Sequence, residues 1–75
     1  MDRILDLKGL QCPLPVLRAR KALLALGPGE VIVVLATDPA ARDDFPRFCS
    51  EAGHVLEEAS EAGGVLTFRL RKGKL

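Results

Sequence analysis

The chain has 75 residues, 48% of them hydrophobic, and a formal net charge of +1 at pH 7. This length and hydrophobic content predict one small domain over residues 1–75 with a single core. Eleven basic side chains nearly balance ten acidic ones, so the overall charge disfavours direct nucleic-acid binding. No apolar stretch reaches the roughly 20 residues that a membrane span needs, so no membrane association is expected.

The first half of the chain predicts a strand, a helix and a second strand. Residues 3–7 form a short strand in which Leu5 and Leu7 face inward. Apolar residues then recur at helical spacing over residues 13 to about 26, and a glycine–proline–glycine turn ends that helix. The apolar, β-branched run 31–35 indicates a central strand buried on much of both faces. The apolar stripe of the helix comprises Val16, Ala19, Leu23 and Leu26.

The second half predicts another helix and two strands. Asp44 is expected to cap the second helix, with Pro46 in its first turn and Gly53 at its end. Residues 54–59 predict a weak third strand, and a two-glycine turn leads into a fourth strand with alternating apolar and polar side chains. The apolar stripe of the helix comprises Phe45, Phe48, Cys49 and Ala52, and the inward side chains of the last strand are Leu66, Phe68 and Leu70.

The predicted element order is therefore β-α-β-α-β-β, which is typical of the α/β (α+β) class. A strand–helix–strand crossover places the first two strands parallel, whereas the closing hairpin must be antiparallel. We expect a two-layer sandwich, with a mixed four-stranded sheet and both helices on one of its faces.

Cys12 is the residue best placed for covalent chemistry, because it directly precedes the first predicted helix in the run Cys12-Pro13-Leu14-Pro15. Pro13 fits the first helical position and Pro15 falls in the first turn, where no intrahelical hydrogen bond is lost. The two prolines are thus expected to stiffen the turn that positions the cysteine. Since a helix N-terminus favours an anion, the thiol pKa is expected to fall from about 8.5 towards neutrality.

Other polar residues have simpler structural explanations. Cys49 lies on an apolar stripe, so packing explains it better than a second functional thiol does. His54 follows a helix-ending glycine and is expected at the surface or boundary. Two cysteines and one histidine do not supply the roughly four ligands of a zinc site, so no metal or other cofactor is expected. Asp38, Asp43 and Asp44 occupy turn and helix-start positions, where capping is a stronger explanation than acid–base catalysis.

Basic side chains form two clusters along the sequence, and an ordinary solvated surface is the simplest explanation of both. In the first cluster, Arg18 and Lys21 are candidates for docking a partner protein near Cys12. A nucleic-acid surface is less favoured because few aromatic side chains are present to stack on bases. The clusters are Arg18, Arg20 and Lys21 in the first helix, and Arg69, Arg71, Lys72 and Lys74 near the C-terminus.

Several short motifs, taken in this order, resemble the TusA/SirA family of small sulfur-carrier proteins. They are Leu5-Asp6-Leu7-Lys8-Gly9-Leu10-Gln11 ahead of the CPxP motif at Cys12-Pro13-Leu14-Pro15, then Pro28-Gly29-Glu30, Asp38-Pro39-Ala40, Asp44-Phe45-Pro46, Phe48-Cys49 and Arg71-Lys72-Gly73. The resemblance implies a two-layer α/β sandwich whose CPxP cysteine, Cys12, carries sulfane sulfur as a persulfide.

The resemblance also implies protein partners on both sides of the transfer. The donor would be a cysteine desulfurase or a rhodanese-like protein, and the acceptor a DsrE-like or other sulfur-transfer protein. The pathways served would be tRNA thiolation, molybdenum-cofactor synthesis or sulfur oxidation. A cytoplasmic location is expected because two cysteines do not resemble a secreted disulfide framework, and a reducing compartment keeps thiols free.

Two other functions stay open on the residues alone. One is a non-catalytic module that binds nucleic acid or protein, in which Cys12 only packs. The other is a redox switch through a Cys12–Cys49 disulfide. The three functions differ in mass change, because a carrier gains one sulfur atom, a disulfide loses two hydrogens and a binding module changes by neither.

Overall fold

The computed structural model describes residues 3–73, in which two helices and four strands follow the predicted order. In chain order the elements are β1 (Arg3–Asp6), α1 (Leu14–Leu24), β2 (Val31–Ala36), α2 (Ala41–Ala52), β3 (Val55–Ala62) and β4 (Val65–Arg71). The strands form one sheet in the spatial order β1-β2-β4-β3. The α/β (α+β) class and the element order are therefore confirmed.

The sheet is mixed, as predicted. β1 pairs parallel with β2, while β4 lies between β2 and β3 and pairs antiparallel with both. A turn at Gly63-Gly64, where both residues have positive φ, joins β3 to β4. β3 extends beyond the predicted 54–59, because Ser60 and Glu61 continue the pairing with β4.

Both helices cover one face of the sheet, and the hydrophobic core lies between the two layers. Phe45 of α2 has no exposed surface, and its ring stacks on that of Phe68 with centroids 4.7 Å apart. The predicted inward residues of β4 are all buried. The other buried hydrophobic residues are Leu7, Ala19, Leu23, Leu26, Ile32, Val34, Ala36, Ala41 and Cys49.

β2 is less enclosed than its sequence predicts. Ile32, Val34 and Ala36 face the helices and are buried, whereas Val31, Val33 and Leu35 alternate with them and are half-buried. The difference arises because helices cover only one face of the sheet. A continuous apolar run is typical of strands covered on both faces, but in this protein it belongs to a central strand that the helices cover on one face only.

α2 begins earlier than predicted. It spans Ala41–Ala52 with Ala40 at the N-cap and no side-chain cap, so Asp44 lies in the first turn and is not the capping residue. Pro46 is consequently in the helix interior instead of the first turn. A residue that precedes α2 stabilises its N-terminus, because Oδ1 of Asp38 accepts a hydrogen bond of 3.1 Å from the Ala40 N–H.

α1 begins one residue later and ends two residues earlier than the predicted 13–26, a common difference at helix ends. Pro13 is the N-cap and not the first helical residue, while Pro15 lies in the first turn as expected. Pro15 is also buried on the core-facing side with Ala19. α2 ends at Gly53 in the left-handed conformation, as predicted. Neither described helix has the length and apolar character to cross a bilayer.

Candidate functional site

Cys12 lies in the turn that leads into α1, and its side chain is exposed. The peptide bond between Cys12 and Pro13 is cis. The N–H of Leu14, the first residue of α1, donates to the Gln11 carbonyl at 2.9 Å and closes the turn. That N–H is therefore already occupied within the turn and does not stabilise a Cys12 thiolate.

Two carboxylates from the β2–α2 region contact Cys12. Its backbone N–H donates to Oδ2 of Asp38, and its Sγ–H donates to Oδ2 of Asp44 at 3.2 Å. The hydrogen bond to Asp44 raises the pKa of the Cys12 thiol above its ordinary value, and some loss of solvation and the negative charges of Asp44 and Asp38 raise it further. The predicted fall of the thiol pKa is thus wrong, because nearby carboxylates outweigh the helix N-terminus.

A cleft of about 560 Å³ begins at Cys12 and runs between α1 and α2. It combines apolar walls with charged side chains from both helices. Pockets of 300–1,000 Å³ with this mixture commonly receive small ligands or protein segments. The apolar lining is Pro13, Val16, Leu23, Leu24, Phe48 and Ala52, and the polar lining is Arg20, Asp44, Arg47, Glu51, His54 and Lys72.

The cysteine in α2 lies in a different environment. Cys49 is only 3% exposed and belongs to the core, as its position on the apolar stripe predicts. Burial raises the pKa of its thiol to about 11, so almost none is ionised at neutral pH. Phe45 is buried beside it in the core, whereas Phe48 and Ala52 of the predicted stripe are half-buried and line the cleft.

If Cys12 carries sulfur, as the family resemblance implies, replacing Cys49 with serine should weaken the fold without preventing sulfur acceptance. A hydroxyl placed in the core without an assured hydrogen-bond partner should lower the free energy of unfolding by roughly 1–3 kcal/mol. Urea denaturation of wild type and Cys49→Ser measures this loss, and intact mass after exposure to a sulfur donor measures acceptance. A folded Cys49→Ser protein that gained no sulfur would assign a functional role to this second thiol.

The two predicted docking residues lie outside the cleft. Arg18 and Lys21 are exposed on α1. The cationic side chains that line the cleft are instead Arg20, Arg47 and Lys72. At 3.6 residues per turn, Arg18 projects from nearly the opposite side of α1 to Arg20. Helical spacing therefore separates Arg18 from Arg20, and the position of α2 places Arg20 in the cleft.

The C-terminal basic cluster is largely engaged in contacts within the chain. Nε of Arg69 lies 3.2 Å, and Nε of Arg71 2.6 Å, from the carboxylate oxygens of Glu57. Nζ of Lys72 donates to the Leu26 carbonyl at 2.6 Å. Lys74 lies outside the described residues. A nucleic-acid surface needs cations that are available to bind phosphates. Because these side chains already have partners within the chain, the cluster fits such a surface poorly.

His54 lies at the boundary between core and surface, as predicted. Its Nδ1 accepts a 3.0 Å hydrogen bond from the Gly73 N–H, and its ring contacts that of Phe48. Burial, and then the charge of Lys72, lowers the pKa of His54, which favours the neutral ring that this hydrogen bond requires. Within residues 3–73, no three His, Cys, Asp or Glu side chains are grouped to hold a metal ion.

Two contacts of the site were not foreseen from the sequence. Asp38 and Asp44 were interpreted as helix caps, and their contacts with Cys12 span 26 and 32 residues of chain. No local pattern indicates such contacts. The clue available was that Asp38 follows β2 and Asp44 lies at the start of the next helix, and that β2 pairs with the strand preceding Cys12.

Comparisons with known proteins agree with this fold. The sequence model of the family described as sulfurtransferase TusA matches residues 3–72. The sulfur carrier protein TusA of Allochromatium vinosum is 46% identical over 71 residues, which cover 95% of this chain and 93% of that protein. A Neisseria meningitidis protein is 57% identical over 63 residues, or 84% of this chain and 85% of that one. The crystal structure of a SirA-like protein from Desulfitobacterium hafniense is similar with a TM-score of 0.82 and 32% identity, covering 93% of this chain and 96% of that chain.

Proposed function

Since this chain belongs to the TusA family of sulfur carriers, we propose that Cys12 is the residue that carries the sulfur, as a persulfide. The observation that supports this assignment is the exposed Cys12 sulfur at the start of the α1–α2 cleft. Cys49, the second of two cysteines in the chain, is enclosed in the core. A partner protein therefore reaches Cys12 without any rearrangement of the fold, whereas Cys49 becomes accessible only if α2 moves.

Sulfur transfer at Cys12 needs no cofactor. Sγ attacks the outer sulfur of a donor persulfide, and the donor leaves as a thiol, so that Cys12–SH and R–S–SH become Cys12–S–SH and R–SH. A thiol of the acceptor then attacks the outer sulfur on Cys12 and restores the original thiol. Rates of such exchanges depend on the thiolate fraction and nucleophilicity of the attacking sulfur and on the leaving sulfur.

The partners are proteins that give and receive sulfane sulfur. A cysteine desulfurase or a rhodanese-like protein is the donor, and a DsrE-like or other sulfur-transfer protein is the acceptor. The pathway is tRNA thiolation, molybdenum-cofactor synthesis or sulfur oxidation. The reducing cytoplasm suits this role because it keeps the Cys12 thiol free. Docking uses the surface around Cys12, with Arg18 and Lys21 on the exposed side of α1 as contacts beyond the cleft.

Intact mass tests this proposal directly. The protein is incubated with a cysteine desulfurase and free cysteine, and a gain of one sulfur atom that a reductant reverses is expected. Peptide mapping should place that sulfur on Cys12. A loss of two hydrogens would instead indicate a Cys12–Cys49 disulfide, and an unchanged mass would favour a non-catalytic binding module.

A further inference from the structure

The contact between Cys12 and Asp44 serves no evident purpose in folding. Cys12 is exposed and Asp44 is half-buried, and neither belongs to the hydrophobic core. The backbone of the cysteine turn is already attached to the β2–α2 loop through Asp38. Asp44 adds one specific interaction, a hydrogen bond of 3.2 Å to the sulfur itself.

We propose that Asp44 is a catalytic residue that keeps the terminal sulfur on Cys12 protonated, which makes the empty carrier slow to react and the loaded carrier a better sulfur donor. This inference rests on the proposed function, because it concerns the same cysteine in its empty and loaded states. It assigns a chemical role to a side chain that the sequence alone explains as a helix cap.

In the empty carrier, the hydrogen bond holds the proton on Sγ. The Asp44 carboxylate accepts a hydrogen bond from the protonated thiol, whereas a thiolate has no proton to donate to it. The negative charge of the carboxylate also repels a thiolate. The thiolate is the nucleophile, so the empty cysteine is slow towards oxidants and alkylating agents. This direction agrees with the raised pKa of Cys12.

Loading replaces the proton on Sγ with a second sulfur. Sγ attacks the outer sulfur of R–S–SH, the donor S–S bond breaks, and the donor sulfur leaves with the bonding electrons. The proton released by Sγ passes to the departing donor sulfur. The products are Cys12–S–SH and R–SH, and no external oxidant or reductant is consumed.

In the loaded carrier, the same carboxylate faces the persulfide. Its negative charge disfavours the anion Cys12–S–S⁻ and so favours Cys12–S–SH. The protonated persulfide is the better electrophile, because an acceptor thiolate is not repelled by a second anion. That thiolate bonds to the outer sulfur, the bond to Sγ breaks, and Sγ leaves with the electron pair. Sγ then takes up a proton from solvent, which replaces the one that the acceptor thiol released when it ionised.

The other charged groups near the site do not reverse this effect. The groups that face the cysteine or line its cleft belong to α1, α2 and the segments that follow β2, α2 and β4. Asp38 adds negative charge on the same side as Asp44, while the cations are distributed along the cleft walls. The groups are Asp38 after β2; Asp44, Arg47 and Glu51 on α2; Arg20 on α1; His54 after α2; and Lys72 after β4.

The substitution Asp44→Asn tests the proposal, with Asp43→Asn as the matched control. Both changes remove one carboxylate from the first turn of α2, but Asp43 has no hydrogen bond to Cys12. Reaction of Cys12 with neutral iodoacetamide is followed against pH, with the site confirmed by peptide mass. Asp44→Asn should shift the profile to lower pH and accelerate the reaction at pH 7 by up to about tenfold, equivalent to one pKa unit. Asp43→Asn should coincide with wild type.

The second measurement is unloading. Each protein is loaded with sulfur, and loss of the added sulfur mass to a neutral thiol is timed at pH 7. Asp44→Asn should unload severalfold more slowly than Asp43→Asn, and Asp44→Glu, which keeps the charge, should recover most of the wild-type rate. Coincident alkylation profiles for the two asparagine variants, or equal unloading rates, would overturn the role of Asp44. Failure of Cys12 to take up any sulfur would instead refute the proposed function. The alkylation profile would in that case still test whether Asp44 keeps the Cys12 thiol protonated.

Discussion

Cys12→Ser is expected to fold like the wild-type protein and to accept no sulfur. A serine hydroxyl does not ionise near neutral pH, so it cannot attack a sulfane sulfur, whereas it still donates to Asp44 and preserves the local contact. Because the side chain is exposed, the free energy of unfolding should change by less than about 1 kcal/mol.

The measurement compares intact masses after incubation with a desulfurase and free cysteine. Wild type and Cys49→Ser should each gain one sulfur atom, while Cys12→Ser should show no gain. Cys49→Ser is a stringent control, since it removes the second cysteine and leaves the exposed one. Sulfur gained by a folded Cys12→Ser protein would refute Cys12 as the carrier residue.

Phe45→Ala should cause the largest loss of stability among single substitutions considered for this fold. Phe45 is completely buried and stacks on Phe68 at 4.7 Å, so its truncation leaves a cavity between α2 and the sheet. Phenylalanine truncations in protein cores cost about 3–5 kcal/mol. A chain of this length has a total stability of roughly 4–11 kcal/mol, so the variant should lose between about a quarter and all of its stability.

Urea denaturation followed by circular dichroism gives the difference directly. Leu17→Ala is the matched control, because it also removes an apolar side chain from a helix, but one that is 51% exposed. Its cost should stay below about 1 kcal/mol. Equal losses in the two variants would show that the Phe45–Phe68 stack is not central to the core.

The strands and the core were predictable because their signals are local. Alternation at Leu66, Phe68 and Leu70 indicates a strand covered on one face, and the structure buries all three residues. The length of α2 was less predictable. Ala40 and Ala41 carry no capping side chain, so the sequence favours a capping residue further along, Asp44, as the start.

The chemistry of the site depends on contacts that local patterns do not contain. The position of Cys12 before a helix predicts a stabilised thiolate, because a helix N-terminus attracts negative charge. The chain instead brings Asp38 and Asp44 from the β2–α2 region against the cysteine, and a direct carboxylate contact opposes that attraction. The parallel pairing of β1 with β2 brings these segments to the same end of the sheet.

The exposed position of Cys12 has a consequence for the fidelity of delivery. Its side chain is exposed, so cargo held there would meet small cellular thiols as readily as the intended acceptor. Shielding therefore cannot be what protects the cargo in transit. The sulfur would instead be protected by remaining only briefly on the carrier and by being transferred within a docked complex. Such a carrier works best when its concentration matches that of its partners, since surplus loaded molecules would lose their sulfur to small thiols in solution.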